Sequence, residues 1–65
     1  SGEIKGIECK KPTVLFAQKG DWKIVIGNSN IKLEKGDTFS VPLSSKIDIS
    51  CNNSENSILN FVSQI

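Results

Sequence analysis

Apolar residues recur at every second position over most of this chain. Trp22, Ile24 and Ile26 alternate with Lys23, Val25 and Gly27, and Ile31 and Leu33 alternate with Lys32 and Glu34. Phe39 and Val41 follow, then Ile47, Ile49 and Cys51 alternating with Asp48 and Ser50. A period of two is the signature of half-buried β-strands. No segment sustains the three-and-four spacing of an amphipathic helix. Nine isoleucines and four valines add β-branched content that suits a pleated, half-buried surface.

Turn signals fall between these runs. Lys19-Gly20-Asp21 precedes Trp22, Gly27-Asn28-Ser29-Asn30 should close a hairpin, and Lys35-Gly36-Asp37 makes another tight turn. Pro42-Leu43-Ser44-Ser45 ends the strand before it, because proline cannot donate to a ladder. Asn52 to Asn56 is a polar loop. The pattern predicts six or seven short antiparallel strands: Ile4–Glu8, Val14–Gln18, Trp22–Ile26, Ile31–Glu34, Thr38–Val41, Lys46–Cys51 and Ser57–Gln64. Such spacing points to a small all-β sandwich or barrel. Residues 1–65 read as one domain, with Ser1-Gly2 taken as a scar of tag removal and the Asn/Ser-rich stretch Ser50–Ser57 too short to be a linker.

Composition narrows the chemistry. A chain of 65 residues buries only about 60% of its unfolded surface, so its core is small. There is no histidine. Without it there is no unassisted base that titrates near neutral pH and no imidazole for a metal. Cys9 and Cys51 are far apart and not in a paired motif, and a structural zinc site wants four nitrogen or sulfur ligands. Asp21, Glu34, Asp37 and Asp48 lie at turns or on outward positions and read as solubilising or turn-forming residues. No enzymatic activity, metal or cofactor is therefore expected. No apolar run approaches the ~20 residues that span a bilayer, and no signal peptide is evident, so membrane association is not expected. Two reduced, packed thiols in an intracellular protein are the expected state of the cysteines. The acceptor-like triplet Asn52-Asn53-Ser54 is then inert.

The eight lysines are scattered, only Lys10-Lys11 being adjacent, and the net charge is +1. That gives no electrostatic footprint for nucleic acid. Phe16, Phe39 and Phe61 could stack bases in an oligonucleotide-binding barrel, but they fall on strands whose apolar faces need filling. Trp22 reads either as a residue covering one end of the core or as an interface anchor, where tryptophan is enriched. A chain with many apolar positions and little interior leaves some apolar face exposed, which marks association. The candidate interface is one sheet face carrying Phe16, Trp22, Ile24 and Phe61.

The stretch from Gln18 to Ile65 resembles the single-domain cupins. The residues that carry the likeness are Gly20, the hairpin Trp22–Glu34, and the run Lys35-Gly36-Asp37-Thr38-Phe39-Ser40-Val41-Pro42. Gly20, Gly36, Asp37 and Pro42 are the turns that define it. Among cupins it is similar to the C-terminal dimerisation domain of the centromere protein C family. The interval from Gly20 to Gly36 matches, as do Phe39, Val41-Pro42, Ile49, Asn52, Leu59, Phe61 and, after one extra residue, Gln64. Ser44-Ser45 stands where that family has Gly-Asn, and Ile47 where it has an aromatic residue. The resemblance implies a jelly-roll β-barrel without the metal site of enzymatic cupins. It also implies a homodimer in the nucleus, pairing two copies of a longer kinetochore scaffold that meets other centromere proteins. The C-terminal domain of phosphomannose isomerase shows a similar run. That alternative implies an accessory β-domain of an enzyme, or a barrel holding a small apolar ligand, in the cytoplasm.

Overall fold

The period-two pattern is realised as seven antiparallel strands in two sheets. The computed structural model describes residues 2–53 and 56–63. The strands are β1 (Gly2–Cys9), β2 (Thr13–Lys19), β3 (Trp22–Ile26), β4 (Ser29–Leu33), β5 (Thr38–Val41), β6 (Ser45–Cys51) and β7 (Ile58–Ser63). One sheet has four strands in the order β1-β6-β3-β4, the other three in the order β5-β2-β7. Among the described residues no strand pairing joins the two sheets, so no closed barrel is seen and the arrangement is that of two sheets packed as an open sandwich. The last expected strand ran on to Gln64, which lies outside the described residues, as does Ser54 of the acceptor-like triplet.

Among the described residues only β3 and β4 form a tight hairpin within one sheet. Ile26 pairs with Ser29, so the loop is Gly27-Asn28 alone and Ser29-Asn30 belong to β4. A two-residue loop matches the twist of the strands it joins, which a four-residue loop does less well. Every other connection carries the chain from one sheet to the other. The crossover from β4 to β5 shows how tightly this is done. The Asp37 backbone N–H donates to the Glu34 carbonyl at 2.9 Å, and the Glu34 N–H donates to Asp37 Oδ2 at 2.8 Å. Gly36, the third residue of this turn, has φ +94°, the conformation a type II turn demands there. The turn is stitched to β2, since Gly36 N–H donates to the Ala17 carbonyl at 2.8 Å and Ala17 N–H to the Asp37 carbonyl at 3.0 Å.

The core lies between the sheets. In antiparallel ladders directly opposed residues share a face. Ile24 lies opposite both Ile49 and Ile31, while Ile26 lies opposite Ile47, and Trp22 opposite Cys51 and Leu33. The facing sheet contributes Thr13, Leu15 and Ala17 from β2, with Phe39 and Val41 opposite Leu15 and Thr13. Leu15, Ile24 and Ile47 are the largest side chains withdrawn fully from water. Cys9 and Cys51 are both free and buried. They sit at opposite ends of the β1–β6 ladder, against Ser45 and Gly2 respectively.

Two backbone positions carry local strain or tight clearance. Gly20 has φ +83° and approaches Ser57 so closely that an added Cβ would lie 2.8 Å from the Ser57 Cβ. Gly20→Ala therefore combines a left-handed penalty with an overlap and should cost about 2 kcal/mol or more in urea unfolding. The added change Ser57→Gly should recover only the overlap part, which a double-mutant cycle measures. Ser44 has φ 65°, and its N–H donates to the Cys9 carbonyl at 2.9 Å. Ser44→Gly should be neutral to stabilising by up to about 1 kcal/mol, while Ser44→Val should destabilise by about 1–2 kcal/mol. A Val variant more stable than the Gly variant would contradict this account of the turn.

Candidate association surface

A four-stranded sheet resting on a three-stranded one leaves some apolar surface without cover. The burial pattern shows where. Ile4 lies opposite Ile49 on the inward side of β1, yet Ile4 is 58% exposed while Ile49 is 3% exposed. On the other sheet Phe61 lies opposite Leu15 on the inward side of β7, and it is 43% exposed while Leu15 is fully buried. The gap between these two edges is an open cleft of about 300 Å3, with Ile7 and Cys9 of β1 on one side and Phe61 and Ser63 of β7 on the other.

The outward faces of the two sheets differ in chemistry. The outward side of the four-stranded sheet carries Glu3, Glu8, Lys23, Lys32, Lys46 and Asp48. Lys23 lies directly opposite Lys32, and Glu8 opposite Lys46. The outward side of the three-stranded sheet has Val14 opposite Ser40 and Val62, and Phe16 opposite Thr38 and Asn60. None of these residues is charged. Val14 and Phe16 are half-buried, and Val62 is 56% exposed. Asn60 is held by Gln18, its Nδ2 donating to Gln18 Oε1 at 2.6 Å.

The four residues expected to share one exposed face are dispersed. Ile24 is fully buried at the centre of the core. Trp22 is half-buried at one end of the inner face, and its indole N–H donates to the Lys19 carbonyl at 3.1 Å. Phe16 points outward from β2, and Phe61 lines the open cleft. Phe16 and Phe61 thus belong to one sheet but to its two faces, and Trp22 and Ile24 to the inner face of the other. The residues that the sequence reading passed over are Ile58 and Val62, both exposed and both on β7 with Phe61. Their signal was an edge strand with no charge, which alternation alone does not single out. Of the turn residues, Gly20, Gly36 and Asp37 hold the crossovers described above, and Pro42 follows β5 directly.

Among the described residues no three of Cys, Asp and Glu come together in a way that could hold an ion. A pocket of about 350 Å3 wraps the Trp22 end of the four-stranded sheet, lined by Trp22, Ile31 and Cys51 on one side and Lys23, Lys32 and Ser50 on the other. A smaller apolar recess of about 170 Å3 lies beside it, between Ile4, Trp22 and Ile49. Comparison with protein-family models, with curated proteins and with solved structures finds no match to this chain.

The buried and exposed members of the candidate set should separate cleanly by mutation. Ile24→Ala should cost about 2–5 kcal/mol, enough to unfold much of a domain this small. Phe61→Ala should cost less than Ile24→Ala at protein concentrations where the chain is monomeric, because that side chain is already 43% exposed to water. Chemical denaturation of the two variants side by side checks the order, and equal losses would contradict the burial assignment.

Proposed function

We propose that this chain is a non-catalytic association module that pairs with a second copy of itself. The observation that carries the reading is the concentration of exposed apolar side chains on one strand. Of the five large hydrophobic residues exposed among those described, Ile58, Phe61 and Val62 all sit on β7. A small soluble domain seldom keeps such a group open to water unless something covers it. Symmetric dimers are the commonest arrangement in which identical chains cover one another.

The finer reading is a cupin-like dimerisation domain of centromere protein C type, within a longer nuclear scaffold. Its support is the run from Gly36 to Pro42 and the positive φ of Gly20, Gly36 and Ser44. Ser44 holds a left-handed backbone at a place where the resembled family has glycine next to the proline turn. In such a scaffold the module would act by avidity. Joining two weakly binding chains turns the second contact into an intramolecular one and raises its effective concentration. Recruitment of other centromere proteins belongs to the same proposal.

The measurement is oligomeric mass by light scattering across a micromolar concentration series. The expected result is twice the mass of the chain, with dissociation on dilution. A monomer mass throughout that range would overturn the reading.

A further inference from the structure

We infer that two copies join edge to edge through β7, antiparallel about a two-fold axis at Asn60, making one continuous six-stranded sheet from the two three-stranded ones. This rests on the association reading above and names the surface that performs it.

The four sheet edges are not equally open. An unpaired edge invites other strands, and proteins guard it with charge, proline, bulges or a covering loop. β1 carries Glu3, Lys5 and Glu8, and its pairing is interrupted by an irregularity between Ile4 and Ile7. The Gly6 N–H there is already taken by Asp48 Oδ1 at 2.8 Å. β4 is five residues long and carries Lys32. β5 has four residues, is followed directly by Pro42, and begins beside the stitched turn of Glu34 to Asp37. The β7 ladder with β2 is also irregular, between Ala17 and Lys19 beside Ile58, but Leu59 to Ser63 pair without a break. The six residues of β7, Ile-Leu-Asn-Phe-Val-Ser, contain no charge and no proline.

The strand also fits itself. Read from either end, Ile58-Leu59-Asn60-Phe61-Val62 is two apolar residues, one polar, two apolar. In an antiparallel pair, directly opposed residues lie on the same face. A two-fold axis at Asn60 therefore sets Leu59 against the second copy's Phe61 on the inner face. On the outer face it sets Ile58 against the second copy's Val62. Asn60 meets its own equivalent, so no like charges are opposed and each apolar side chain faces another. A shift of one residue would set inner positions against outer ones, and a shift of two would set Asn60 against Ile58 or Val62, so this register is the one in which each apolar side chain meets another. The added strand lies on the open side of β7, along the cleft that Phe61 lines together with Ile7, Lys10 and Lys11.

The test places charge on the axis. Asn60→Lys and Asn60→Glu each set two like charges opposite one another in the dimer but leave them in solvent on a monomer. Each variant alone should weaken association by at least about tenfold, and an equimolar mixture of the two should restore it as a heterodimer. Light scattering of each variant and of the mixture reads this out, with circular dichroism to establish folding. A folded Asn60→Lys variant that dimerises like the unaltered chain overturns the β7 pairing while leaving self-association standing. A monomeric unaltered chain overturns both. Should the variants fail to fold, hydrogen exchange of the unaltered chain decides. Under β7 pairing, the β7 amides that point away from β2 gain protection as concentration rises through the dimerisation range. Exchange there that is independent of concentration overturns the proposal.

Discussion

Unequal sheet widths govern this molecule. An apolar face stays out of water only where another layer lies over it, and 65 residues supply seven strands, which cannot be divided into two equal layers. The wider sheet centres on β6 and β3, whose inward residues Ile24, Ile47, Ile49 and Cys51 are all buried. The narrower sheet centres on β2, where Thr13, Leu15 and Ala17 alternate with less buried neighbours. Both central regions are complete. The mismatch falls on β1 and β7, each of which has inward apolar residues that remain in water. Everything proposed for function follows from that deficit, because the burial missing from one chain is burial that a second can supply.

Strand positions were legible because alternation and turn chemistry agree. Trp22–Ile26 and Thr38–Val41 form over the residues expected of them. The departures have tertiary causes. β1 starts at Gly2 because Gly2 and Glu3 find partners in Cys51 and Ser50, a pairing between distant segments that local pattern does not carry. β4 starts at Ser29 because the hairpin loop contracts to two residues, making strand out of residues that look like loop. Gly2 is thus part of the sheet, although the sequence reading set it aside with Ser1.

Which face turns inward was not legible, and β2 shows why. Its even positions hold Val14, Phe16 and Gln18, its odd positions Thr13, Leu15 and Ala17. By hydrophobicity and size, Val14 and Phe16 compete well for the core. Yet the odd set is buried, down to the small Ala17 and the hydroxyl of Thr13, which donates to the Lys11 carbonyl at 2.8 Å. Ala17 is committed by its backbone, since both its N–H and its carbonyl bond to the Glu34–Asp37 turn, and a small side chain suits that close crossing. Once Ala17 faces inward, the pleat sends Phe16 outward. The interface set proposed from sequence mixed two sheets and both faces for this reason: alternation gives a period without a direction.

The two edges beside the open cleft differ in a way that bears on the size of the assembly. If both β1 and β7 were bare, β7 of one copy could pair with β1 of the next, and so on without end. Heterologous contacts of that kind generate filaments unless the rotation closes. Here β1 is bulged at Gly6, its spare N–H is bonded to Asp48, and it bears three charged side chains. Of the two edges beside the cleft, β7 is then the one open to a further strand, and in the proposed pairing with its own copy both β7 edges would be consumed at once. In the proposed dimer the guarded β1 would therefore turn an aggregation hazard into a contact that stops at two.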